Sequence, residues 1–155
     1  GAEPGTVVVD MSTISPEVTR QIGRRLAERE VPMLDAPVSG GEEGAVNGSL
    51  SIMVGGDAAN LERARPALQV LGKRVVHCGP LGAGQTVKLC NQIAVSLTNL
   101  AVCEALLFAQ RSGVDPGKML EAVSAGAGAS WGGSSATGAP KADSVGAASA
   151  AGSPW

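Results

Sequence analysis

The sequence predicts an α/β chain, a mostly parallel partial sheet with flanking helices followed by one long helix, and three observations carry that prediction. Residues 6–36 alternate strand, helix and strand signals, which is one βαβ step. The glycine-punctuated apolar runs at 50–54 and 73–78 repeat the strand signal. From Ala83 to about Arg111 nothing breaks a helix. The 155 residues fit one ordinary domain or a piece of a larger one. A hydrophobic fraction of 44% beside an aromatic fraction of 2% makes the core aliphatic.

Taken in order, Thr6–Asp10 reads TVVVD, a β-branched run ending in an acid, as a buried parallel strand leaves a sheet. Ser15 as N-cap and Pro16 at the first helical position start a helix. Its Val18, Ile22 and Leu26 recur on one face, and Arg20, Arg24, Arg25 and Glu28 face water. Val31–Ala36 is the second strand. The passage PVSGGEEGAVNG then reads as a polar, flexible loop before a strand at Leu50–Val54. Asp57 caps a helix with Leu61, Ala64, Leu68 and Leu71 on one face, in which Pro66 predicts a kink or a break. Lys73–Cys78 is a further strand, ended by Gly79, Pro80 and Gly82. The long helix stops at Ser112 and Gly113, and Asp115 with Pro116 starts a shorter one reaching about Ser124. After Trp131 nineteen of the last twenty-four residues are Gly, Ser, Ala or Pro, so residues 132–155 are expected to be a disordered tail.

Composition removes several function classes. Twelve Lys and Arg against fourteen Asp and Glu leave no basic surplus for a phosphate backbone, and three aromatic residues make no stacking platform, so no nucleic-acid partner is expected. One histidine, His77, and three cysteines without CxxC spacing do not make a zinc site. Cys78, Cys90 and Cys103 read as buried or half-buried free thiols in a reducing compartment, hence a cytoplasmic location. No signal-peptide pattern opens the chain. Asn91, Gln92, Ser96, Thr98 and Asn99 interrupt the stretch from Leu89 to Cys103, so no membrane partner is expected either.

Two places carry candidate chemistry. Ser39, Gly40 and Gly41 form a glycine-rich turn whose main chain could approach an anion closely; the alternative is an ordinary flexible turn. Gly82-Ala83-Gly84 leads into a helix whose second turn carries Lys88, with Asn91 and Gln92 three and four residues on, all on one face. A desolvated lysine between amides is suited to proton transfer at a reacting oxygen; the alternative is a surface lysine on an amphipathic helix. Two pattern matches fail on context. Residues 82–87 begin like GxGxxG but lack the third glycine and a following acidic strand end. Residues 128–132 match GxSxG, yet no strand precedes them and the one histidine lies upstream.

The segments DAPVSGGEEGAVNGSLSIMVGG (35–56) and GAGQTVKLCNQ (82–92), with VVVDMSTISP (7–16), resemble the β-hydroxyacid dehydrogenase family of 3-hydroxyisobutyrate dehydrogenase and tartronate semialdehyde reductase, with 6-phosphogluconate dehydrogenase as a distant cousin. The resemblance runs from about residue 4 to Trp131. It implies the second half of a Rossmann-like nucleotide domain (1–81), then an interdomain helix entering a truncated all-α domain (82–131). It also implies NAD or NADP as cofactor and a small 3-hydroxy acid or semialdehyde as substrate. Carried over by position, Ser39, Gly40 and Gly41 would hold the substrate's carboxylate or hydroxyl, Lys88 would be the general acid or base, Asn91 and Gln92 would orient substrate, and Ser12 or Thr13 would touch cofactor. The pairing of Asn91 with Gln92 is similar to the tartronate semialdehyde branch.

The resemblance also sets expectations of what is missing. The family's glycine fingerprint for pyrophosphate, and its selector of NAD against NADP, would precede this chain's first strand. The tail after Trp131 stands where the family has further helices, as a shifted reading frame or an artificial extension would leave it. Two functions therefore compete: an NAD(P)-dependent oxidoreductase, and a catalytically inactive fragment or noncatalytic binding module of the same family. The apolar residues Leu89, Ile93, Leu97, Leu100, Leu106, Leu107 and Phe108 cover more of the long helix than one sheet contact can bury, which predicts a homo-oligomer.

Overall fold

In the computed structural model, which describes residues 1–125, the element order is β1 (Val8–Asp10), α1 (Pro16–Ala27), β2 (Met33–Asp35), β3 (Val38–Ser39), α2 (Gly41–Val46), β4 (Ser51–Gly55), α3 (Ala58–Leu71), β5 (Arg74–Gly79), α4 (Ala83–Arg111) and α5 (Pro116–Ser124). The described residues divide into two units, Gly1–Ile93 and the residues from Ala94 on.

The first unit holds the sheet. β1 pairs with β2 in parallel, and β4 pairs in parallel with β5. Along its other edge β4 meets the end of β2 through Asp35 and Gly55, and then β3, both antiparallel. The sheet is thus mixed, parallel in its longer pairings and antiparallel where β4 meets β2 and β3. Ala36 and Pro37 separate β2 from β3, and the short passage to Ser51 turns the chain back beside them, too short for a parallel crossover.

Successive side chains of β2 serve opposite faces, as the pleat requires. Leu34 joins Ile52, Val54 and Leu50 in a buried cluster closed by Leu61 and Leu68 of α3. The Met33 sulfur instead lies 3.9 Å from where a Cβ on Gly23 of α1 would stand. Helices therefore cover both faces. α1 starts at Ser15, whose hydroxyl accepts the Glu17 amide, and α3 at Asp57, which accepts from Ala59 and Asn60.

Several sequence expectations are corrected. α1 buries Thr19 and Gly23, whereas Val18 and Ile22 are exposed. The Leu81 side chain packs where a Cβ on Gly23 would be, so a small residue is what allows the close approach. The glycine-rich passage is not one loop: it contains β3 and the six residues of α2, for which Gly40 at φ 138° and Gly41 at φ 60° make the turn. α3 runs through Pro66 without a break, held at both ends of its buried face by Leu61 and Leu68, while Leu71 is exposed. Cys78 is half-buried as expected, but Cys90 and Cys103 are exposed. The expected tail at 132–155 and the GxSxG match at 128–132 lie outside the described residues.

Candidate active site

The start of α4 is built by a residue 47 positions upstream. Asp35, fully buried at the end of β2, accepts the Gly82 amide on Oδ1 and the Gln85 amide on Oδ2, both at 2.7 Å. A carboxylate at a helix N-terminus meets unpaired amides and the positive end of the helix dipole, and charge-assisted bonds of this length are strong. Two glycines make room for it. A Cβ on Gly55 would stand 2.8 Å from the Gly84 nitrogen, and one on Gly84 would stand 2.8 Å from Asp35 Oδ2. Gly84 therefore admits β2 and β4 to the helix end, while Gly82, at φ 90°, lies against Arg20 and Pro16 of α1.

Gln85, also fully buried, reaches the turn after β1: its Oε1 accepts the Ile14 amide at 3.1 Å and its Nε2 donates to the Ser12 carbonyl at 2.7 Å. Asp10 closes the same turn by accepting the Ser12 amide at 3.0 Å. Ser12 and Thr13 are exposed at the carboxyl end of a parallel strand, where open α/β sheets bind ligands. Lys88 follows Gln85 by three residues, so it stands on the same helical face one turn further on. It is half-buried, and desolvation lowers its pKa below the ordinary lysine value with no charged neighbour among the causes. Asn91, half-buried, donates through Nδ2 to Oε1 of the exposed Gln92 at 3.1 Å.

The structure thus brings the Ser12–Thr13 turn to the root of the Lys88 face. It places Ser39 at the end of β3, opposite Ser51, and Gly40 and Gly41 at the start of α2, four to six residues beyond the Asp35 that anchors α4. Asp35 and Gln85 are the two residues that sequence reasoning missed. The available signals were an acid at a strand end and the pair of glycines flanking Ala83, and neither names its partner.

The nicotinamide-ribose side of a dinucleotide fits this geometry, since exposed hydroxyls sit on a turn fixed from behind. A pyrophosphate finds few free helix starts: among the described residues, amides at the starts of α1, α3, α4 and α5 already meet Ser15, Asp57, Asp35 and Asp115, and the short α2, entered through Gly40, is the one without a side-chain cap.

Fold and site together define a nucleotide-binding α/β domain that passes into a long helix. Residues 1–79 match the NAD binding domain of 6-phosphogluconate dehydrogenase, and residues 82–143 match the NAD-binding model of NADP-dependent 3-hydroxyisobutyrate dehydrogenase. The chain belongs to the β-hydroxyacid dehydrogenase family, whose cofactor is NAD or NADP. Among its relatives, 2-hydroxy-3-oxopropionate reductase of Escherichia coli is 51% identical over 79% of this chain and 42% of that protein. The 3-hydroxyisobutyrate dehydrogenase of Pseudomonas aeruginosa is 39% identical over 81% of this chain and 42% of its own. The solved structure of Mycobacterium tuberculosis 3-hydroxyisobutyrate dehydrogenase with L-serine superposes with a TM-score of 0.76 at 37% identity, covering 82% of this chain and 44% of that one. The chain spans less than half the length of these relatives.

Proposed function

We propose that the chain carries the substrate-facing part of an NAD(P)-dependent oxidoreductase acting on a small 3-hydroxy acid or semialdehyde, with Lys88 as the general acid or base. The observation that supports this most is the position of Lys88: a half-buried ammonium, without a charged partner among the described residues, one turn beyond the residue that grips the Ser12–Thr13 turn. A bound nicotinamide nucleotide supplies the hydride acceptor or donor. In the oxidative direction neutral Lys88 Nζ takes the hydroxyl proton, and in the reductive direction its ammonium returns one to the carbonyl oxygen. Ser39, Gly40 and Gly41 hold the substrate's carboxylate or hydroxyl, and Asn91 and Gln92 orient it. The relative whose name specifies a reduced 3-carbon oxo acid favours the semialdehyde end of this substrate range.

The test is Lys88→Ala in a catalytically complete version of the protein. Turnover should fall about 10²- to 10⁴-fold, with the melting temperature little changed. Near-unchanged turnover would refute the assignment. The second reading, a noncatalytic module, is favoured for the isolated chain by the side-chain caps on four of the five described helix starts: NAD or NADP should bind it weakly, and submillimolar affinity by calorimetry would contradict that.

Residues 82–131 act, in this reading, as an interdomain helix and the start of a helical domain, in a cytoplasmic homo-oligomer. α4 is long and apolar enough to cross a bilayer by length and composition. Its place directly after a nucleotide-binding domain supports protein contact instead, and the reading keeps no membrane and no nucleic acid among its partners.

A further inference from the structure

Gln85 is one of three buried polar residues among the described residues, and it alone ties three separate segments together. Its main-chain amide donates to Asp35 at the end of β2. Its carboxamide holds both the carbonyl of Ser12 and the amide of Ile14. Two bonds from one planar group to one turn fix how far that turn stands from α4 and how it is rotated. The task requires one donor and one acceptor on an uncharged group, which a carboxamide supplies.

We propose that Gln85 is a positioning residue that sets the register between the Ser12–Thr13 turn and the helical face carrying Lys88. The inference rests on the roles proposed above for Lys88 and for that turn. Hydride and proton leave adjacent atoms of the substrate, so the group that takes the proton and the turn that bounds the nucleotide must keep one spacing. A displacement of about 1 Å at such a site costs about 10²-fold in rate.

Amide exchange on the full 155-residue chain tests the latch without catalysis. Gln85→Met keeps the length of the side chain and removes both bonds, and exchange at Ile14 should quicken about tenfold, the worth of one typical hydrogen bond. In Gln85→Glu a protonated carboxyl again offers one donor and one acceptor, whereas a carboxylate sets oxygen against the Ser12 carbonyl. Compared with the wild type at each pH, Gln85→Glu should therefore be protected in acid and lose protection as pH rises, and Gln85→Met should show no such recovery. Unchanged Ile14 exchange in Gln85→Met, or pH-independent protection in Gln85→Glu, overturns the latch; if Gln85→Met does not fold, the Gln85→Glu series decides alone.

In the catalytically complete enzyme, Gln85→Met should lower kcat about 10²-fold per folded molecule and raise KM for the nicotinamide nucleotide. A lower melting temperature with kcat and KM unchanged would make the residue structural only and overturn the positioning role. Lys88→Ala should leave Ile14 exchange as it is. If Lys88→Ala also leaves turnover as it is, the acid-base reading has failed while the latch stands, so the two failures are told apart.

Discussion

The two ends of α4 are held in opposite ways. At its start Gly82, Gly84 and Gln85 are buried, a carboxylate accepts the Gly82 and Gln85 amides, and a carboxamide holds the turn beneath. Past the first three turns Ile93, Leu97, Leu100 and Phe108 are exposed, Phe108 to 74%. The near end is specified by polar bonds made inside this chain, and the far end offers apolar surface that gains only when something covers it. Precision is located where the proposed chemistry is, and adhesion where a partner would be.

The largest change should come from breaking the near end. Asp35→Ala leaves two buried amides without an acceptor and should cost about 3–5 kcal/mol in urea unfolding, with Asp35→Asn recovering part of it through its remaining carbonyl. A cost under about 1 kcal/mol would show that water replaces the carboxylate freely. Gly84→Ala should cost somewhat less, about 1–3 kcal/mol, because its Cβ would meet the Met53 and Asp35 carbonyl oxygens and cannot be relieved by a side-chain rotation. By contrast Asp115→Ala, which removes a local cap from α5 beyond the near end, should cost only about 1 kcal/mol.

Self-association sharpens the other half of the comparison. Light scattering at micromolar concentration should show an oligomer, and Phe108→Glu should shift it towards monomer while leaving the near end's amide protection intact. A clean monomer that binds no hydrophobic dye would mean that the far surface is covered within the chain.

The smallest effect concerns pH. Burial lowers the Lys88 pKa, so between its folded and its ordinary value the unfolded chain holds more protons than the folded one. The penalty of burying the charge is fully present below the folded pKa, and stability should rise as pH climbs through that window. The slope should vanish in Lys88→Met. In the complete enzyme the oxidative rate should rise with an apparent pKa below that of an ordinary lysine.

The same contrast explains what was legible in the sequence. Ser15, Asp57 and Asp115 cap helices from the preceding residue, and each was readable because donor and acceptor are two or three positions apart. The limits of α4 were readable from uninterrupted helix formers and a closing Gly113. Asp35 does the work of a cap from 47 residues away, and no local pattern announces it. The buried face of α1 was misread for a related reason: periodicity favours Val18 and Ile22, but the approach of Leu81 rewards the small Gly23. α2 was missed because glycines suggest a loop when counted by composition, although Gly40 and Gly41 serve to start a short helix there.

The latch also has a consequence in time. The turn after β1 reaches its two hydrogen-bond partners only when a residue 71 to 73 positions later arrives, so during synthesis that turn exists for most of the first unit's length with its carbonyl and amide facing water. Contacts of such separation close late, since the loop between them must be drawn in first. The geometry on which the proposed site depends should therefore assemble late in the folding of the first unit, and amide protection at Ile14 should appear after that of the sheet in pulse-labelled refolding.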